Sequence, residues 1–245
     1  MKMESAKEKL IVALDVDSQS RALELFEQLR EHVGMFKVGM QLFTAAGPGI
    51  VRKIVAGGSR VFLDLKYHDI PNTVAMAGIE ATRLGVSIFN IHASGGREMM
   101  RSTAEAVGEI SVRENLPRPR VIGVTLLTSV DHETLRGIGI DEAPETVVTR
   151  LASIAEACGL DGVVASAREV KNIRGTTSRS DFIIVTPGMR NAASADDQRR
   201  TMPIAEAIRA GADYLVVGRP ILNAADPVAA AIRIAGEIEA SARQS

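Results

Sequence analysis

The chain has 245 residues, a length usual for one large α/β barrel; 46% are apolar, 3% aromatic and none is Trp, so Ala, Val, Ile and Leu must fill the core. A formal net charge of −1 gives nucleic acid or an anionic membrane no global attraction, and any anion site must be local. Cys158 stands alone, which excludes an internal disulfide and a multi-cysteine zinc site, and with no signal peptide or membrane-length apolar run the chain reads as soluble and cytoplasmic.

Residues 1–9 are polar and read as a loosely ordered start. Residues 10–16 (LIVALDV) form a first strand ending in Asp15, and Ser18 and Ser20 are candidate caps for a helix over 21–32. A short second strand over 35–40 is apolar except for Lys37. Gly47-Pro48-Gly49 then punctuates the chain before a helix over 50–56, which Gly57-Gly58 closes.

The stretch 60–73 (RVFLDLKYHDIPNT) begins as an apolar, β-prone run and reads as a buried third strand. Asp64 and Lys66 are two apart, so strand alternation points them to one face. Opposite charges on the inner face of a buried strand are costly unless they pair or do chemistry. Pro71 suits the first turn of the helix that follows, through Leu84.

Strand four covers 87–93 (SIFNIHA), and a helix follows Gly95-Gly96 to near Asn115. Strand five covers 120–128 (RVIGVTLLT), and 131–140 read as an insertion with its own helical turn. A helix over 144–158 ends at Gly159, strand six covers 162–166, and a short helix covers 167–174. Strand seven (181–186) runs into Pro187-Gly188-Met189-Arg190 and a polar loop to Arg200, then a helix over 202–210. Strand eight (214–217) enters Gly218-Arg219-Pro220-Ile221, and the last helix covers 227–243.

Eight strand–helix units without a linker-like break predict a parallel sheet with right-handed crossovers, closed into a single (β/α)8 TIM barrel over 1–245. No dinucleotide-binding or P-loop glycine motif supports an open sheet.

Polar residues recur where strands end: Asp15, Lys37, Asp64, Lys66, Thr128 and Arg219. Any one of them could be a barrel salt bridge or a helix cap. Together they mark a common mouth, because barrel interiors disfavour charge and barrel active sites sit at that face. Gly218-Arg219 with the loop after strand seven, which carries Arg190 and Gln198, fits a phosphate site. Cys158 and the Met99-Met100 pair read as packing, His68 as a solvent or capping residue on a turn, and His92 as support for the mouth. No His/Asp/Glu cluster has metal-ligand spacing.

The motif Asp64-x-Lys66-x-x-Asp69-Ile70-Pro71-Asn72-Thr73 resembles the signature of orotidine 5′-phosphate decarboxylases. The likeness extends over the chain through Asp15, Lys37, Leu127-Thr128-Ser129, Pro187-Gly188-x-Arg190 and Gly218-Arg219-Pro220-Ile221. It implies loss of CO2 from orotidine 5′-phosphate to give UMP, without metal, flavin or pyridoxal cofactor. Lys66 would then be the protonated group facing the carbanion, ordered with Lys37 by Asp64 and Asp69. The resemblance further implies Asp15, Lys37 and Thr73 on the ribose, Thr128 and Ser129 on the base, and Pro187, Arg190, Gln198, Gly218 and Arg219 around the phosphate. It also implies a homodimer in which Asp69 and Thr73 enter the neighbour's site, with neither nucleic acid nor membrane as partner. Two alternatives stay open: a metal-dependent sugar-phosphate enzyme on the same barrel, such as 3-hexulose-6-phosphate synthase, and a non-catalytic nucleotide-phosphate binder.

Overall fold

The apolar, β-branched runs pair in chain order. The computed structural model describes residues 5–188 and 203–243. In it β1 (Leu10–Ala13), β2 (Met35–Gly39), β3 (Val61–Tyr67), β4 (Ile88–His92), β5 (Arg120–Val124), β6 (Gly162–Val164), β7 (Ile183–Thr186) and β8 (Tyr214–Val217) form a closed barrel. All neighbours are parallel, and β8 pairs back onto β1. The fold is the single (β/α)8 barrel expected from the sequence.

The connecting helices are α1 (Gln19–Leu29), α2 (Met40–Ala46), α3 (Gly49–Ala56), α4 (Pro71–Arg83), α5 (Arg97–Arg113), α6 (His132–Gly137), α7 (Pro144–Ala157), α8 (Val170–Thr176), α9 (Ile204–Arg209), α10 (Arg219–Leu222) and α11 (Pro227–Ala242). Their starts follow helix-start chemistry. Pro71, Pro144 and Pro227 occupy first-turn positions, where a missing N–H costs nothing. Asp131 and Asp226 accept from the N–H groups of Thr134 and Ala229, each at 2.9 Å. No helix among the described residues is long and apolar enough to cross a membrane.

Strand alternation divides the core in two. Ile11, Ala13, Met35, Phe62, Ile88, Ile122, Val124, Val164, Ile183, Val185, Tyr214 and Val216 form one cluster inside the barrel. A larger cluster, including Leu10, Val12, Val38, Leu63, Phe89 and Val121, lies between strands and helices.

Several elements differ from the sequence expectation, four of them in ways that bear on the ends of the barrel. Residues 6–9, expected to be loose, form a short 3-10 turn, tied by the Ser5 N–H to Glu8 Oε2 at 2.6 Å. Helix α2 was not expected; seven residues with only Leu42 buried are too few to show a helical period. Strand β1 stops at Ala13, two residues before Asp15. Strand β5 stops at Val124 instead of Thr128, because Thr125 makes the last barrel contact: its N–H and hydroxyl both donate to the Val164 carbonyl. Residues 126–128 then leave the barrel wall.

The end where the strands begin is knitted by charges that meet backbone. Arg60 donates to the carbonyls of Gly34 (3.0 Å) and Glu8 (3.2 Å). Asp161 pairs with Arg118 at 2.9 Å and accepts from the Val121 N–H at 2.7 Å. Arg174 joins Asp213 and the Phe182 and Gly211 carbonyls, while Asp213 accepts from the Ile184 N–H at 2.6 Å.

Candidate active site

At the opposite end, alternation on β2 sends Met35 and Lys37 inward, and on β3 it does the same for Phe62 and Asp64. The register sets Lys37 beside Ala13 and Phe62, and Gly39 beside Asp64. Four charges therefore meet above the apolar barrel filling. Lys37 Nζ lies 2.9 Å from Asp15 Oδ1 and 3.2 Å from Asp64 Oδ2, and Lys66 Nζ lies 2.7 Å from Asp64 Oδ1. Asp64 bridges two ammonium groups, and the two carboxylates and two cations sum to zero.

Lys37 and Asp64 are almost fully enclosed, at 8% and 9% exposure, so their charges depend on each other. Burial works against the Asp64 carboxylate, yet Lys37 and Lys66 outweigh it and, with hydrogen bonds from Lys66 and Asn90, hold it below the ordinary carboxyl range. Burial likewise works against the Lys37 cation, but Asp64 and Asp15 raise it above an ordinary lysine. Both groups are ionised at neutral pH.

Two residues that sequence reasoning missed give the array its shape. Gly39 is the first: a Cβ there would lie 2.8 Å from Lys37 Nζ and 3.3 Å from Asp15 Oδ1, inside the space the ion pair occupies. Nothing in the sequence separates this glycine from an ordinary strand end. Asn90 is the second. It is completely buried on β4; its Oδ1 accepts from the Lys66 backbone N–H at 2.8 Å, and its Nδ2 donates to Asp64 Oδ1 at 2.7 Å. Its signal was available: one amide, in phase with Ile88 and His92, interrupts an apolar strand on its inner face.

A cavity of about 590 Å3 opens over this array. Asp15, Lys37, Asp64 and Lys66 line it together with Thr128, Ser129, Pro187, Gly218 and Arg219, over a floor of Ala13, Phe62, Val124, Val164 and Val216. One wall is thus charged, the floor is apolar, and Arg219 stands exposed at the rim. Asp69 and Thr73 do not line the cavity. Both are exposed, and the Asp69 carboxylate accepts from the N–H of Ile70 at 2.7 Å. Beside them Ile70 and Met76 are 67% and 49% exposed, large apolar side chains turned to the surface. Arg190 and Gln198 lie outside the described residues.

His68 is exposed, with its ring 5.3 Å from that of His92. Burial, then the neighbouring His68 and Lys66, push His92 below the ordinary histidine range, so it is neutral at pH 7. Cys158, Met99 and Met100 are buried in the core. Among the described residues no group of three or more His, Cys, Asp or Glu is gathered to hold a metal ion.

A (β/α)8 barrel whose strand ends gather paired ammonium and carboxylate groups around one cavity defines a barrel enzyme. Comparison with known proteins identifies which kind. Residues 8–234 match the model of the Orotidine 5′-phosphate decarboxylase / HUMPS family, and the chain belongs to that family. It is 57% identical over 238 residues to the orotidine 5′-phosphate decarboxylase of Syntrophotalea carbinolica, covering 96% of this chain and 97% of that one. It is 54% identical to the protein of the same name from Geobacter sulfurreducens, over 98% of this chain and 100% of the relative. Among solved structures, orotidine 5′-phosphate decarboxylase from Lactobacillus acidophilus superposes with a TM-score of 0.83 at 35% identity, covering 94% of this chain and 98% of that one.

Proposed function

We propose that this enzyme removes CO2 from orotidine 5′-phosphate to give UMP, the last step of de novo pyrimidine nucleotide synthesis, in the cytoplasm and without a cofactor. The observation that carries the reading is the Lys66 ammonium, fixed 2.7 Å from Asp64 at the edge of a cavity floored by apolar side chains. When the C–CO2 bond breaks, its electron pair stays on a pyrimidine carbon that has no conjugated sink. A cation already in place stabilises that charge without reorganising. Lys66 then transfers its proton to the carbon, CO2 leaves, and Lys66 regains a proton from solvent. Asp64 aims Lys66, and Lys37 keeps Asp64 ionised.

The rest of the cavity suits the other parts of the nucleotide. Asp15 and Lys37 hold the ribose hydroxyls, and Thr128 and Ser129 meet the base. Pro187, Gly218 and Arg219 receive the phosphate, joined by Arg190 and Gln198. Phosphate binding far from the reacting carbon contributes orientation, so its energy appears in the rate. Asp69 and Thr73 act in the partner's site of a homodimer, as a further carboxylate beside the array and a ribose contact. Their exposure, next to Ile70 and Met76, supports that assignment.

The test is a loss-of-absorbance assay with orotidine 5′-phosphate in the presence of EDTA. Turnover that resists the chelator is expected. Turnover abolished by EDTA would favour metal-dependent chemistry on the same barrel, and UMP binding without turnover would leave only a nucleotide-binding protein.

A further inference from the structure

Between Leu63, paired with Phe89, and Tyr67, paired with Ile91, strand β3 carries three residues where β4 carries one. The one is Asn90. Inside this bulge Lys66 adopts φ +52°, a left-handed conformation that crowds any residue with a Cβ. The ladder is broken there, and the Lys66 N–H has no strand carbonyl in register. It donates instead to Asn90 Oδ1 at 2.8 Å. The same amide donates from Nδ2 to Asp64 Oδ1 at 2.7 Å, the oxygen that also receives the Lys66 ammonium. One buried side chain thus grips the strained backbone of Lys66 and the carboxylate that aims its Nζ.

We propose that Asn90 is a positioning residue for the reaction, holding Lys66 in its left-handed turn and Asp64 in the orientation that points the ammonium into the cavity. The inference rests on the decarboxylase reading of this site. The chemistry asks for an amide. One side must accept from a backbone N–H and the other must donate to a carboxylate. A leucine, with the same branched shape, does neither. An aspartate accepts, but faces Asp64 as a second anion until it takes up a proton; protonated, it accepts and donates as the amide does.

The experiment measures kcat on orotidine 5′-phosphate and the dissociation constant of UMP for wild type, Asn90→Leu and Asn90→Asp from acid to neutral pH. Asn90→Leu is expected to lose about 100-fold or more in kcat, the scale of a small misplacement at a reacting centre, with UMP affinity within about threefold of wild type. Asn90→Asp is expected to be impaired at neutral pH and to recover relative to wild type as the pH falls and the new carboxyl is protonated. Folded Asn90→Leu with near-normal kcat, or with kcat and UMP affinity falling together, overturns the proposal. If Asn90→Leu does not fold, the pH profile of Asn90→Asp decides: relative recovery in acid supports positioning, and a profile parallel to wild type overturns it. A wild-type enzyme without turnover sinks the decarboxylase reading itself, and this inference with it.

Discussion

The barrel carries charge at both ends, and the two ends satisfy it differently. Where the strands begin, Arg60, Arg174, Asp161 and Asp213 each reach backbone groups, so their charges close gaps in the chain's own hydrogen bonding. Where the strands end, Lys37, Lys66, Asp15 and Asp64 meet each other side chain to side chain around a cavity. The bulged backbone and the Gly39 gap lie at the same end. Charge that binds backbone holds the fold, whereas charge that binds charge beside a cavity is arranged for something that arrives. Variants at the two ends should therefore separate activity from stability.

The largest separation is expected from Lys66→Ala. Turnover should be abolished while UMP binding remains measurable and the urea midpoint stays near wild type. Near-normal kcat would remove Lys66 from the proton-donor role and turn attention to Lys37. Next is Arg219→Ala, with kcat/KM lower by about 10³-fold, or roughly 4 kcal/mol, because phosphate binding no longer contributes to orientation. Orotidine without its phosphate should be processed as slowly as by wild type, and equal losses on both substrates would contradict this role.

Gly39→Ala sharpens the comparison from inside the array. The new methyl meets the flexible end of Lys37, which can move aside, so stability should change little. The array is displaced, and kcat/KM should fall by about 10²-fold. Asp213→Ala is the converse. It removes the acceptor of the Ile184 N–H and the carboxylate partner of Arg174, which keeps the Phe182 and Gly211 carbonyls, and should cost roughly 1–3 kcal/mol in urea unfolding, with kcat per folded molecule unchanged.

The smallest effect is a pH dependence. Asp64 is held below the ordinary carboxyl range, so its contribution is present above about pH 4 and is lost as pH falls through its lower folded value. Lys37 is raised, so its contribution is complete below about pH 10 and is lost as pH rises through its higher folded value. The stability difference between wild type and Asp64→Asn should be constant near neutrality and shrink below about pH 4. A difference unchanged at pH 3 would mean that ion pairing does not set it.

The mouth was more legible in the sequence than the features that shape it. Lys37, Asp64 and Lys66 interrupt apolar runs, and a charge inside a barrel strand is conspicuous because it is expensive. Strand β8 fell where the run YLVV predicts it. Gly39 and Asn90 were missed because their value lies in what stands beside them: an ammonium across the register for one, a bulge in the next strand for the other. Alternation predicts Asp64 and Lys66 on one face, but Lys66 lies inside the bulge, where its left-handed backbone and its ion pair with Asp64 set its place, and alternation says nothing of the chain beyond. The surface position of Asp69 and Thr73 therefore required the three-dimensional structure.

The proposed array is completed across two chains: Lys37, Asp64 and Lys66 are assembled within one barrel, and Asp69 is exposed and does not line that barrel's cavity. Unfolding and refolding Lys66→Ala together with Asp69→Ala tests this most directly. In a symmetric dimer the mixed species carries both defects in one site and neither in the other. With random mixing about half the dimers are mixed, so activity should recover to about a quarter of wild type. If Asp69 serves its own chain, every site in the mixture lacks one residue. Activity staying at the background of the two single variants would contradict the shared site.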